Sequence, residues 1–233
     1  MSDNNSSFAA FSNQMADAVE KAAASTVLVN ARARHPASGV AVSADTILTA
    51  SHVVEREEEI TVLLPDGREI SASLAGRDNA SDLALLRLAQ AAATPAEQAG
   101  QEASVGQLVF ALGRPNSGGI QASLGIVSAL GGPMRTGRAS LLERYLRTDT
   151  IPYPGFSGGP LVDASGRVLG MNTSGFTPGA LITIPAALAW PVAETLRAQG
   201  RIPRGYLGVR TQIIPLPASM QQKLGRTQER ALL

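Results

Sequence analysis

The stretch Gly155–Phe156–Ser157–Gly158–Gly159–Pro160–Leu161 sets a serine among glycines at the head of an apolar run. A nucleophilic serine needs its hydroxyl on a tight turn, with backbone N–H groups facing the oxyanion of a tetrahedral intermediate. Glycines beside Ser157 allow that turn without a Cβ clash, and the N–H groups of Gly155 and Ser157 are the candidate oxyanion donors. By itself the string also fits a glycine-rich hairpin, so its meaning depends on the rest of the chain.

A serine hydroxyl is a weak nucleophile until a base takes its proton. The segment TASHVV (49–54) places His52 almost directly after the apolar strand TILTA (46–50). His35, the other histidine, precedes Pro36 between strands with no motif around it and reads as loop. In ASDLALLRL (80–88), Asp82 opens an apolar strand, a costly place for an acid unless it is paired or hydrogen-bonded. Orienting an imidazole and stabilising the imidazolium is one such role. Asp78 is a rival, but its flanks Arg77 and Asn79 read as a solvated turn. The order is His, Asp, Ser with separations of about 30 and about 75 residues, the order of chymotrypsin rather than of subtilisin or the α/β-hydrolases.

Outward from these segments the chain reads as short strands. TVLVNAR, SGVAVSA, TILTA, ITVLL, ISASLAG and LALLRL come first, broken by turn signals such as Pro65–Asp66–Gly67. An Ala-rich polar stretch, 91–106, reads as a linker. QLVFAL, IQASLGIVSAL, YLRTD, GPLVDA, RVLGMNTSG and ALITI follow. Two sets of about six strands predict two small β-barrels, about 25–105 and 106–185. His52 and Asp82 fall in the first and Ser157 in the second, so the triad would assemble in the cleft between them. A helix is expected over 187–199, capped by Gly200. Another is expected from Phe8 to Ala23, capped by Ser7, within an N-terminal segment 1–24. Its stripe Phe8, Phe11, Met15 and Val19 would lie on the core or form a subunit contact.

A hydrophobic fraction of 44% with 17% charged residues argues against disorder, and a net charge of +1 gives no electrostatic reason to expect nucleic acid. With no cysteine and two histidines, thiol chemistry and Cys- or His-rich metal sites are not expected, and no cofactor is implied. No apolar run approaches the roughly 20 residues of a membrane span. The N-terminus lacks a signal-peptide pattern, leaving the cytosol or an exported protein without its leader. The run Glu55–Arg56–Glu57–Glu58–Glu59 reads as a solvated loop.

The stretches SGVAVSADTILTASHVV, DLALLRL, GIVSAL, RTDTIPYPGFSGGPL, GRVLGMNT and ITIP resemble the HtrA/DegP family of trypsin-like bacterial serine proteases, in that family's order. The resemblance implies an all-β fold of two perpendicular six-stranded antiparallel barrels of the chymotrypsin kind, with an N-terminal and a C-terminal helix. The protease domain would be 25–202. It implies His52, Asp82 and Ser157 as catalytic triad and Gly155 and Ser157 as oxyanion hole. Ile151 would form the base of the primary specificity pocket, and Thr173, Ser174 and Gly175 a wall that pairs with substrate backbone, with Thr173 bonded to Asp82. An apolar Ile151 implies cleavage after small or medium aliphatic residues, in unfolded or damaged polypeptide. Phe156 departs from the family's usual Asn and would bias the nucleophile loop between active and collapsed forms. By analogy Gly131–Arg144 holds a sensor loop acting on Pro152–Phe156.

The family further implies a homotrimer through N-terminal aromatics, here Phe8 and Phe11, and a periplasmic or cell-envelope location. Residues 203–233 resemble the opening of a PDZ domain, with Tyr206–Leu207–Gly208–Val209 as its carboxylate-binding loop. A PDZ domain needs roughly 80–100 residues, so the expectation is a truncated module without peptide binding. The alternative to an active protease is a peptide-binding or chaperone-like protein on the same scaffold with a resting oxyanion hole.

Overall fold

A computed structural model describes residues 3–136, 141–177, 179–203, 213–215 and 230–232. Contacts divide the chain into two units, Met1–Ile202 and Pro203–Leu233. In the first unit, strands β1 (Thr26–Asn30), β2 (Ala37–Ala41), β3 (Thr46–Ala50), β4 (Ile60–Leu63), β5 (Glu69–Asp78) and β6 (Leu83–Leu88) close a barrel in the order β1-β2-β3-β6-β5-β4. Strands β7 (Leu108–Gly113), β8 (Gln121–Gly131), β11 (Tyr145–Thr148), β12 (Pro160–Asp163), β13 (Val168–Thr173) and β14 (Ile182–Pro185) close a second, in the order β11-β14-β13-β12-β7-β8. Every named pairing is antiparallel. Between β8 and β11 the short strands β9 (Met134–Arg135) and β10 (Leu141–Leu142) pair as a hairpin. The two six-stranded barrels are those the strand pattern predicts.

The barrels form because short, β-branched and aliphatic segments can bury side chains inward without an open edge. Strands β2, β3 and β13 are buried along their whole length, and β6 at all but one residue. Ile47, Leu48, Leu83, Leu85 and Leu86 of the first barrel's strands have no solvent exposure, so these strands are covered on both faces. The catalytic candidates sit where such strands end, so their backbones are anchored by a packed core.

Helix α1 spans Asp3–Ala23, a turn earlier than Ser7 would start it, so Ser7 lies within the helix. Among the helix residues whose burial is described, Ala18 and Ala22 are the buried ones, Met15 and Val19 pack partly on the core, and Phe8 is 72% exposed with Phe11 also open. The apolar stripe therefore divides: its C-terminal half meets the core and its aromatic half does not. Arg114, almost wholly buried, donates to the Ala23 carbonyl at the helix end (3.5 Å) and to the Thr26 carbonyl (2.9 Å). Burial pushes its guanidinium pKa below the ordinary value. Helix α2 runs Ala186–Gln199 and is closed by Gly200 in the left-handed conformation at φ 70°, its N–H returning to the Leu196 carbonyl.

In the second unit, β15 (Ile213–Pro215) pairs antiparallel with β16 (Arg230–Leu232). The PDZ-like Tyr206–Val209 lies outside the described residues, as does the middle of the proposed sensor loop, 137–140.

Candidate active site

Strand β3 delivers the chain into a single 3-10 turn, Ser51–Val53, which carries His52. Asp82 precedes β6, the neighbour of β3 in the barrel, so the two residues meet at adjacent strand ends. Asp82 Oδ1 accepts the His52 backbone N–H at 2.8 Å, and Oδ2 stands 2.7 Å from His52 Nδ1. Its own carbonyl accepts the Ser51 N–H at 3.0 Å. The Thr173 hydroxyl, at the end of β13, also donates to Oδ2. A carboxylate this buried is thereby satisfied by three donors. Asp82 has φ 53°, a left-handed conformation that a short polar side chain tolerates better than most.

That conformation is set by Asp78. Its carboxylate accepts the N–H groups of Ala80 (3.3 Å) and Ser81 (3.2 Å) and the Ser81 hydroxyl (2.6 Å). At 7% exposure it is a buried turn anchor, not the solvated residue its flanks imply. Its polar neighbours mislead because the turn folds inward to satisfy backbone donors.

Ser157 lies on the turn before β12. Gly155 and Gly158 adopt φ 85° and 87°, conformations that would strain any other residue. A Cβ on Gly158 would fall 2.0 Å from the Ser38 carbonyl oxygen, so the Ser157 turn is wedged directly against the first barrel. Ser38 is the bridge between the barrels. Its N–H donates to the Ser157 carbonyl at 3.1 Å, and its hydroxyl donates to the Gly155 carbonyl at 2.6 Å and accepts the Arg114 N–H at 2.8 Å. Nothing in the SGVAV string marks Ser38 for that role.

The N–H groups of Gly155 and Ser157 donate to no described residue, whereas Phe156 N–H is used internally, to the Tyr153 carbonyl at 3.1 Å. Phe156 has no solvent exposure and packs edge-to-face on Tyr153, ring centroids 5.3 Å apart. Ser157 Oγ is 2.9 Å from Ser174 Oγ and accepts the Ser174 N–H at 3.2 Å. Among the described residues no hydrogen bond joins it to His52. Gly175 lies over the His–Asp pair: a Cβ there would come within 2.6 Å of Asp82 Oδ2 and 2.9 Å of His52 Nδ1.

A cleft of about 590 Å³ opens over His52, Gly155, Ser157 and Ser174. Its apolar lining includes Tyr153 and Leu181, flanked by Pro152 and Pro154. Ile151 is not among the residues that line this cleft; its N–H is tied to Ser123 Oγ at 2.8 Å and the residue is 53% exposed. Sequence reading missed Arg32, Arg34 and His35, which line the cleft from the β1–β2 loop, and Glu55, a cleft residue within the otherwise surface-exposed acidic run. Among the described residues no group of three or more His, Asp or Glu is placed to hold a metal ion.

A histidine held by a buried carboxylate, lining one cleft with a serine on a glycine turn, on a scaffold of two six-stranded barrels, is the arrangement of a trypsin-like peptidase domain. Residues 37–171 match the trypsin-like peptidase domain family, which is more than half of the chain. The chain is 39% identical over 183 residues to a probable periplasmic serine endoprotease DegP-like of Halomonas elongata, covering 75% of this chain and 38% of that protein. A DegP-like relative from Rickettsia conorii is 34% identical over 196 residues, covering 80% and 38%. Among solved structures it resembles the serine endoprotease from Yersinia pestis (TM-score 0.71, 36% identity, 85% of this chain and 71% of that one). It also resembles the HtrA-type protease AlgW bound to a decapeptide (TM-score 0.72, 29% identity, 94% and 78%). The chain belongs to the trypsin-like peptidases, among their HtrA/DegP serine endoproteases. It spans about two fifths of the length of the curated relatives it matches.

Proposed function

We propose that the chain carries the peptidase part of an endopeptidase that hydrolyses unfolded or damaged polypeptide through an acyl-enzyme on Ser157. The observation that carries this reading is the His52–Asp82 pair beside a serine turn whose two candidate oxyanion N–H groups are free of internal partners. In the reaction His52 removes the Ser157 proton as Oγ attacks the carbonyl carbon, then returns it to the leaving amine. Asp82 holds the imidazole tautomer and stabilises the imidazolium. Gly155 and Ser157 N–H groups bind the oxyanion, and a water activated by His52 releases the acyl group. The edge Thr173–Gly175 pairs with the acyl side of the substrate, and the apolar lining from Tyr153 and Leu181 favours an aliphatic side chain before the scissile bond.

The names of the relatives support a periplasmic location, and no described helix is long and apolar enough to cross a membrane. The exposed Phe8 and Phe11 support a trimer contact through α1. Loss of trimer in a Phe8→Ala, Phe11→Ala double variant tests that, and an unchanged trimer rejects it.

The Ser157–Ser174 bond favours a second reading, a peptide-binding protein with a resting nucleophile. Labelling by a fluorophosphonate, with Ser157→Ala as control, separates the two. Labelling with release of peptides cut after Val, Ala or Leu supports the protease. No labelling, even with an unfolded protein added, supports the binding module, and strict cleavage after Arg or Lys rejects the aliphatic preference.

A further inference from the structure

The cleft has two unlike ends. Ser174 and Gly175 border Ser157 and His52 on one side. On the other, the β1–β2 loop comes up to Gly155, with the Pro36 carbonyl oxygen 3.1 Å from where a Gly155 Cβ would stand. Arg32, Arg34 and His35 of that loop line the cleft. Arg32 is turned back on the loop, Nε donating to the His35 carbonyl and Nη2 to that of Pro36 (3.4 Å). This contact braces the loop while keeping the positive charge at the cleft wall. Arg34 is exposed and makes no ion pair among the described residues. Glu55 is the single acid among the lining residues, against two arginines. Of the cations elsewhere, Lys21, Arg68, Arg77, Arg144, Arg167 and Arg197 have a carboxylate partner, while exposed Arg87, Arg135, Arg147 and Arg201 share with Arg34 the lack of an ion pair among the described residues.

We infer that the Arg32–His35 loop is a subsite for acidic side chains on the leaving side of the scissile bond. The inference rests on the proposed protease reading and on the acyl part pairing with Thr173–Gly175. A substrate so placed, its carbonyl directed at the N–H groups of Gly155 and Ser157, carries the residues after the scissile bond past Pro36 and under Arg34. There an Asp or Glu meets two guanidinium groups and a Lys or Arg meets repulsion. Rim charges of this kind act on substrate capture and choice more than on the chemical step, and salt screens them.

The test uses the full chain and peptides identical up to the scissile bond, with Asp-Asp or Lys-Lys as the second and third residues after it. Fluorophosphonate labelling of Ser157 is measured in the same preparation, and absence of labelling sinks the protease reading itself. With labelling present, kcat/KM is expected to favour the acidic peptide about three- to tenfold at low salt, falling towards unity in high salt. Arg34→Glu is expected to bring the ratio to unity or reverse it. Because the ratio is taken within one preparation, a partly misfolded variant does not distort it. A ratio at or below one in the unmodified protein, a ratio unmoved by Arg34→Glu, or an acidic preference confined to residues before the scissile bond would each overturn the inference.

Discussion

The hydroxyl of Ser157 is bonded to that of Ser174, 2.9 Å away, and not to the imidazole of His52. Both the hydroxyl and the N–H of Ser174 bond Ser157 Oγ, so on the proposed protease reading His52 must win Ser157 from this partner before attack. A net hydrogen bond is worth about 0.5–1.5 kcal/mol. Ser174→Ala is therefore expected to raise the second-order rate of fluorophosphonate inactivation about two- to tenfold. A rate equal to or below that of the unmodified protein would show that Ser174 supports the nucleophile instead of restraining it.

Asp82 receives the Thr173 hydroxyl on the same oxygen that faces His52. Gly175 N–H in turn donates to Thr173 Oγ1 at 2.9 Å, fixing the direction of that hydroxyl. Removing a donor from a buried carboxylate costs more than an ordinary hydrogen bond, about 1.5–3 kcal/mol. Thr173→Val should lower kcat tenfold or more with little change in KM, and Thr173→Ser should restore most of it. If Val and Ser behave alike, the contact is packing and not orientation.

What the sequence made legible follows the range of the interactions. The strand pattern carried both barrels because inward burial imposes a local alternation or a short apolar run. His52, Asp82 and Ser157 could be singled out as candidates because each sits in a short string with its own local chemistry. Ser38 and Gly175 were not legible as a bridge between barrels and a lid on the His–Asp pair. Those tasks exist only between segments far apart in the chain, such as Ser38 with Gly155 and Gly175 with His52. The exposure of Ile151 was not legible for a related reason: its N–H is bonded to Ser123 of β8, a strand distant in the sequence. The aromatic half of the α1 stripe matched a core pattern, yet the core ends at Met15 and Val19.

Asp78 offers a check on how the turn before β6 holds Asp82. Its carboxylate satisfies three donors in the turn, and Asp82 leaves it with a positive φ. Asp78→Ala strands buried donors, with an expected stability loss of about 1–3 kcal/mol in chemical denaturation. It should also lower the labelling rate of the folded fraction, since Asp82 loses the turn that aims it. Unchanged stability would mean that the turn is held by β5 and β6 alone.

Phe156 tests whether a core side chain governs the nucleophile turn. It is among the largest side chains in the protein with no exposure, sits in a cluster with Val109, Ala111, Leu146 and Leu161, and contacts Tyr153 at the other end of its own turn. Gly113 makes room for the ring, since a Cβ there would be 2.5 Å from Phe156 Cδ1. Phe156→Ala empties this space and is expected to cost about 3–5 kcal/mol. The more telling variant is Tyr153→Ala, which leaves the buried ring in place and removes the edge-to-face contact, worth about 0.5–1.5 kcal/mol. If the aromatic pair holds Gly155 and Ser157 N–H groups on the cleft, Tyr153→Ala should shift the thermal midpoint by only a few degrees while slowing fluorophosphonate labelling several-fold. Labelling that falls only in proportion to the unfolded fraction would reduce Phe156 to a core residue with no hold on the turn.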